Sequence, residues 1–422
     1  MSNILNLEFF GFVPYKKGMV LYMKKFEHLA ANYSNPNWNN IISRNDVLYK
    51  RENDFRSEFA RDYNRVIYST AYRRLKHKTQ VFFSPENDHI CTRIEHVTHV
   101  DSISYTIADY LGLNTELTKA IAVAHDIGHS PFGHEGERIL SAISKRDLHC
   151  AFWHEKNGLD FVDNIELLEN QDRFKENLNL TYGVRDGIIS HCGEIDENGL
   201  KPRDEFIDLS TYTYPNEYNP YTWEACVVKI ADKISYIGRD IEDAITLGIL
   251  DNHLDDLNLI LSSSTEQKIN NTFLINYLVS DLCKNSSPEN GLSFSEEAFE
   301  LLSKVKRFNY YNIYFCDRIK PSVRYFNVVL NEIYDTLKAC FDFKDTVVHL
   351  KELSKISRTL SESFLRFVYQ YYDYGNRDEL GLKNKVIFDV NSEIDYCRCI
   401  LYYISGMTDN FAMDVYREII GF

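Results

Sequence analysis

Apolar positions recur at helical spacing through most of this chain. In TRIEHVTHVDSISYTIADYLGL (92–113), Ile94, Val97, Ile103, Ile107 and Leu111 keep near a 3.6-residue period until Gly112 stops it. NTELTKAIAVAHDIGH (114–129) continues as a helix with Asn114 or Thr115 as N-cap and Ile121 and Val123 inside, and Gly128 and Pro131 forbid its extension. Residues 223–250 and 322–341 form further long periodic segments. Strand patterns are few, with a short hairpin predicted around TQVFFSPENDHICT (79–92). Gly199 to Pro220, rich in Pro, Tyr, Asn and acids, reads as a long surface loop. No internal repeat or low-complexity tract is present. The pattern predicts an all-α fold, mainly helical with at most a small β-hairpin.

Length allows two or three average domains, or one large helical body with a deep core, for these 422 residues. A hydrophobic content of 44% beside a charged content of 26% is ordinary for a folded soluble protein. The net charge of −15 argues against a surface built throughout for a polyanion, which needs excess Lys and Arg. One stretch runs against that balance: Arg61, Arg65, Arg73, Arg74, Lys76 and Lys78 face the single acid Asp62. A phosphate-binding surface and a solvated amphipathic helix face both fit it.

Nine cysteines include no CxxC pair, and Cys397 and Cys399 lack the spacing of a zinc knuckle. With no signal peptide, the expectation is reduced thiols in a cytoplasmic protein. The apolar NLEFFGFV near the N-terminus is cut by Pro14, Lys16, Lys17 and Gly18, well short of a membrane span. Met19 or Met23 could equally be the natural start, so no function is placed before about residue 35.

Histidines sharpen the picture. Eight of the thirteen fall between His89 and His154 (His89, His96, His99, His125, His129, His134, His149 and His154), where even scatter would put about two. Neutral imidazole is the commonest protein metal ligand, and with carboxylates it suits Mn, Fe, Zn or Mg. His125 and Asp126, neighbours on one helix, stand about 100° apart, so they share an ion only across the helix flank, with other helices completing the shell. His96 is the natural first partner. Asp232, in the otherwise apolar KIADKISY, is the natural last, because an unpaired carboxylate there would be costly to bury.

With these residues in view, the chain resembles a known family. His96, His125–Asp126 and Asp232 look like the H…HD…D signature of HD-domain metal-dependent phosphohydrolases. The closer likeness is to the deoxynucleoside triphosphate triphosphohydrolases, or dGTPases. It is carried by FRSEFARDYNRVIYSTAYRRLKHKTQVF (55–82), TRIEHVTHV, AHDIGHSPFGHEGE (124–137), VVKIADKISYIGRDIEDAI, KRFNYYNIY (306–314) and YISGMTDNFA (403–412), in the family's order over nearly the whole chain. The resemblance implies an HD-domain catalytic core over 36–260, after an uncertain extension over 1–35, with a helical C-terminal region over 261–422 packed on it.

The same resemblance implies a role for each matching residue. His96, His125, Asp126 and Asp232 would hold one divalent ion (Mn, Mg or Fe), with a second ion admitted. His134 would handle a proton and Glu137 would orient it. His154 would stand near the phosphates, Arg93 and Lys233 would grip the triphosphate, and Gln80, Tyr236 and Asp240 would surround the deoxyribose. Asp232, Tyr236 and Asp240 are i, i+4 and i+8 and so share a helix face, on which the aromatic ring can exclude a 2′-hydroxyl while Asp240 accepts from the 3′-hydroxyl. The alternative for Tyr236 is a core residue, and for Asp240 a pair with Arg239 or another surface base. Gly128, Gly133 and Gly136 would let the backbone approach phosphates, or serve only as turns. His129 has no role fixed by chemistry, His99 is expected beside His96 or in the core, and His191 is not expected to be catalytic. Tyr402 and Ser130 depart from the family pattern without touching the expected metal.

The implied reaction is hydrolysis of a dNTP, with dGTP favoured, to a deoxynucleoside and inorganic triphosphate. The partners implied are the dNTP substrate, a dNTP or single-stranded DNA effector, and copies of the chain in a hexamer or tetramer, with no membrane. Two other readings stand beside it: an HD-type phosphodiesterase or exonuclease on single-stranded DNA, using Arg61 to Lys78 as a groove, and a nucleotide-sensing regulatory protein.

Overall fold

The computed structural model describes residues 13–15, 19–21, 24–48, 53–83, 87–192, 198–262 and 271–421. The first helices are α1 (Trp38–Ile41), α2 (Glu58–Tyr68), α3 (Thr70–Arg74), α4 (Arg93–Leu111), α5 (Thr115–Ala124) and α6 (Gly133–Asp147). Then follow α7 (His154–Asp160), α8 (Tyr182–Ser190), α9 (Trp223–Thr246), α10 (Leu254–Ser262), α11 (Asn271–Asn285) and α12 (Glu296–Asn309). The last are α13 (Lys320–Lys338), α14 (Thr346–Glu352), α15 (Arg358–Tyr371), α16 (Glu393–Ser405) and α17 (Asp409–Ile420). The fold is all-α, as the periodicity predicts.

Among the described residues, strands are confined to two antiparallel ribbons, β1 (Val13–Tyr15) with β2 (Met19–Leu21) and β3 (Leu167–Glu169) with β4 (Lys175–Asn177), with Val13 opposite Leu21 and Leu168 opposite Glu176. The hairpin expected over 79–92 does not form among the described residues, and residues 84–86 lie outside them. Only a single bridge, Thr79 to Thr92, joins its ends.

Local signals set the central helices. Glu95 reaches back to the Thr92 amide at 2.8 Å at the start of α4. Gly112 ends it at φ +87, a left-handed conformation where a Cβ would also meet Lys24. Asn114, rather than Thr115, caps α5 by accepting from the Glu116 and Leu117 amides. The helix then stops at Ala124, earlier than expected, and Asp126 falls in the turn that follows. Gly128 explains the stop. Its missing Cβ would lie 2.1 Å from the His154 carbonyl and 2.2 Å from the Gly158 amide, so α7 crosses where α5 would have continued.

The apolar faces of α4, α5 and α9 pack on one another, α2 and α8 cover α5, and α7 covers α8. α11 and α12 lie on α9, while α13 lies on α6, α16 and α17, so C-terminal helices back the elements that carry the histidines. The buried apolar side chains of these layers form one contiguous cluster. Among the described residues no helix is long and apolar enough to cross a membrane.

The basic stretch Arg61 to Lys78 is largely built into this framework. Arg61 is buried 3.8 Å from Asp54, Arg65 donates to the Leu178 and Asn177 carbonyls, and Arg74 pairs with Glu166 at 2.7 Å. Buried Lys78 donates to the His129 and Ser405 carbonyls. Only Arg73 and Lys76 are exposed. The expected phosphate groove is thus mostly a set of internal cross-links.

Candidate active site

A cavity of about 360 Å³ opens where α4, the turn after α5, α7 and α9 converge. α4 supplies His96, the turn supplies His125 and Asp126, and α9 supplies Asp232. His96 Nε2 lies 2.9 Å from Asp232 Oδ1 and 3.8 Å from Asp126 Oδ2. His125 Nε2 lies 3.5 Å from Asp126 Oδ1 and 3.9 Å from Asp232 Oδ1. Residues far apart in sequence are therefore brought to one place.

The donor chemistry of this set fits a divalent cation. The Ala122 carbonyl can only accept, so His125 donates Nδ1–H to it at 2.7 Å, and this fixes the tautomer. Nε2 is left as a buried lone pair with no hydrogen-bond partner, aimed at the two carboxylates. Burial raises the Asp232 pKa, but the hydrogen bond and charge of His96 outweigh it and hold the carboxyl down to about 2. Burial likewise opposes ionisation of Asp126, and His129 and Arg93 outweigh it, keeping that carboxyl well below its usual range. Two ionised carboxylates and two imidazoles form a set suited to Mn, Fe or Mg.

Arg93 stands differently from the expectation. Its Nη1 donates to Asp126 Oδ2 at 2.8 Å, and its Nε and Nη2 donate to the Thr79 and Gln80 carbonyls. The 2% exposed guanidinium is occupied in orienting a carboxylate and bracing the Thr79–Gln80 backbone, while still lining the cavity.

A second constellation borders the first. Glu137 on α6 accepts from His154 Nδ1 at 2.9 Å and stands 3.7 Å from His134 Nδ1, so His154, not His134, is its nearer partner. Burial works against charge on His154, but Glu155 and Glu137 outweigh it and raise its pKa to about 9. An imidazolium beside the cavity is well suited to face an anion. His134 is 70% exposed at the cavity mouth. His129 packs its ring 3.8 Å from that of His154. His191, buried, donates Nδ1–H to the Ile188 carbonyl, and its ring lies 5.0 Å from that of His125, on the cavity floor. His99, expected beside His96 or in the core, is exposed, as are His89 and His149.

Along α9, Asp232, Lys233, Tyr236 and Asp240 line the cavity, with Gln80 opposite. Asp240 is 1% exposed, and its Oδ2 accepts from Tyr314 at 2.5 Å, while Oδ1 is buried without a partner. The pair with Arg239 weighed from the sequence does not form; Arg239 binds Glu242 and Asp243. Burial pushes the Asp240 pKa up to about 7. Because the folded state holds that proton more tightly than the unfolded chain, stability falls as pH rises from about 4 to about 7. Denaturant unfolding of wild type and Asp240→Asn across that range should show a smaller decline in the variant.

Sequence reasoning assigned nothing to Lys306, Tyr310 and Tyr314, which complete the wall, or to Glu155 and Lys229, which line the cavity beside His154 and Asp232. The signal for the first three was present in the KRFNYYNIY block. There α12 runs into a π-helical turn over Tyr310–Tyr314, and Asn309 donates to the Ile237 carbonyl of α9 at 2.9 Å.

The glycines also read differently in three dimensions. A Cβ at Gly136 would sit 1.8 Å from the Pro131 carbonyl, and Gly133 has φ +59. Together with Gly128, they let protein backbone approach protein backbone. Phe132 just before α6 is left-handed too, at φ +63. Asp409 of α17 holds it, accepting from the Phe132 amide at 2.9 Å and from the Thr79 amide at 2.8 Å, while Phe326 stacks on its ring at 4.2 Å.

The profile of the HD domain matches residues 93–237, the span from Arg93 to just past the first turn after Asp232. A deoxyguanosinetriphosphate triphosphohydrolase-like protein of Caldanaerobacter subterraneus is 32% identical over 379 residues, covering 89% of each chain. Proteins of the same description from Rickettsia bellii and Rickettsia felis are 31% and 30% identical, each covering 93% of this chain and 98% of its own. The match extends well beyond the HD segment into the C-terminal helices. This chain belongs to the HD-domain family of deoxyguanosinetriphosphate triphosphohydrolase-like proteins.

Proposed function

We propose that the protein hydrolyses deoxynucleoside triphosphates, dGTP favoured, to the deoxynucleoside and inorganic triphosphate. One observation carries the reading: the metal-type donors His96, Asp126 and Asp232 line one cavity with the wall of Tyr236 and Asp240, His125 Nε2 stands 3.5 and 3.9 Å from the same two carboxylates, and Asp232 shares a helix face with that wall. A divalent cation (Mn, Mg or Fe) held by those four donors would supply a Lewis acid for a phosphoryl oxygen and a more acidic water.

The chain's own groups do the rest. Lys233, Lys306 and the His154 imidazolium bind the triphosphate, and Arg93 keeps Asp126 in place rather than gripping phosphate itself. Tyr236 packs against C2′ of the sugar, where a ribose hydroxyl would clash. The 3′-hydroxyl donates to the partnerless Oδ1 of Asp240, with Gln80 across the cavity. Water attacks the α-phosphorus, the bond to the 5′-oxygen breaks, and one proton passes to that oxygen. His134, at the cavity mouth and backed by Glu137, is the group placed to move it. The core over 36–260, a closed homo-oligomer, an effector nucleotide or single-stranded DNA, and a cytoplasmic location belong to the same proposal.

The test is hydrolysis of each dNTP, alone and in pairs, and of GTP, with Mn²⁺ or Mg²⁺ and products separated by anion exchange. Deoxynucleoside and triphosphate in equal amounts are expected, with GTP turned over at least about tenfold more slowly, as one excluded hydroxyl warrants. Pyrophosphate as product, or mononucleotides released from single-stranded DNA at matching rates, would overturn it. The burial of Arg61 and Lys78, and the internal partners that occupy the half-buried Arg65 and Arg74, already weaken the DNA alternative, because its groove needs these cations free to meet phosphate.

A further inference from the structure

We infer that His129, His134, Glu137 and His154 form a second cation site, one that takes Zn²⁺ and competes with turnover. Each offers a ring nitrogen or a carboxylate oxygen, His154 after releasing one ring proton to solvent as the cation binds, and these atoms all lie within 4.8 Å of one another. The cluster shares no member with that of His96, His125 and Asp232, although a third grouping, Asp126, His154 and His191, links Asp126 of the first set to His154 of this one.

His129 carries the argument. It is 2% exposed, and neither ring nitrogen has a hydrogen-bond partner, although Nδ1 lies out of line 3.0 Å from Asp126 Oδ1. Leaving a buried polar group without a partner is costly, and a bound cation would remove that cost. The neighbours are placed to share that cation. The His129 ring centroid is 3.8 Å from that of His154 and 5.5 Å from that of His134. The Glu137 carboxylate lies between His154 and His134, at 2.9 and 3.7 Å.

Donor type separates the two sites. Three imidazoles and one carboxylate make a zinc-type shell, whereas the pair of imidazoles and pair of carboxylates next door suits harder ions. Zinc–nitrogen bonds of about 2.0 Å bring tetrahedral donors to about 3.3 Å from one another, so the cluster must contract. His134, 70% exposed, is the member free to swing inward. Inhibition, unlike binding, rests on the proposed reaction: zinc would take the lone pairs of His134 and Glu137 that move the proton.

The experiment counts zinc per chain by mass spectrometry in full-length protein stripped of metal, exposed to Zn²⁺ alone and desalted. Wild type is expected to hold two equivalents. Glu137→Gln, His129→Gln and Asp232→Asn should each hold one, and Asp232→Asn with Glu137→Gln none. If Glu137→Gln does not fold, His134→Ala at the exposed mouth gives the same count. One equivalent in the wild type, or two in both Glu137→Gln and His134→Ala, would overturn the site. Zn²⁺ added to Mn²⁺-loaded enzyme should lower dGTP turnover at least tenfold. Absence of any dNTP hydrolysis would sink the proposed reaction while leaving the zinc count to decide the site.

Discussion

Asp232→Asn is expected to lower Mn²⁺-dependent kcat/KM by at least about a thousandfold, the scale of losing preorganised electrostatics at a reacting phosphate. Its carboxylate is the only donor that α9 gives to the metal set, and His96 and His125 both point at it, at 2.9 and 3.9 Å. The amide keeps an oxygen to accept from His96, so the helix packing should survive. What the variant loses is the negative charge that the cation and His96 both respond to. Calorimetric Mn²⁺ binding should weaken in parallel, with far-UV circular dichroism unchanged. Activity within tenfold of wild type would show that the hydrolytic cation is held elsewhere.

That prediction uses residues visible in the sequence, and the reason they were visible is local. The histidine excess, the HD pair and the i, i+4, i+8 run on α9 are all short-range patterns, and helical periodicity is the strongest signal a single chain carries. The hairpin expected over 79–92 failed for a tertiary reason. Phe82 is buried and Phe83 packs edge-on against Phe132 and Phe326, so these apolar residues serve helix contacts rather than a sheet face. The basic stretch misled in the same way, because a cation's partner cannot be read from spacing. The acceptors of Lys78 are the His129 carbonyl and the Ser405 carbonyl, 51 and 327 positions away. Tyr402, a departure from the family pattern, proves to donate to Asp160 at the end of α7 at 2.6 Å, tying α16 to the helix that starts with His154.

The most distant of these ties gives the second large effect. Asp409→Ala is expected to cost about 2–6 kcal/mol of stability, because it strips the acceptor from two N–H groups at about 1–3 kcal/mol each. The Phe132 and Thr79 amides lie 277 and 330 positions away in sequence, and Asp409 itself is 3% exposed. The consequences run into the cavity. Phe132, left-handed, sets the entry of the chain into α6, which bears His134 and Glu137. Thr79 and Gln80 supply the carbonyls that hold Arg93 against Asp126. A non-glycine residue kept at positive φ costs about 1–3 kcal/mol and persists only while its surroundings hold it there. Releasing it should shift His134 from the reacting proton more than it disturbs substrate binding. Asp409→Asn separates stability from geometry, since the amide oxygen can accept one N–H while its NH₂ opposes the other. We expect its midpoint in urea to fall by less than half as much as that of the alanine variant, its kcat to fall at least about tenfold, and its KM to stay within about threefold. A matched loss in kcat and KM, or full activity in Asp409→Asn at a temperature where it is folded, would mean that the C-terminal helix only covers the core and has no part in placing α6.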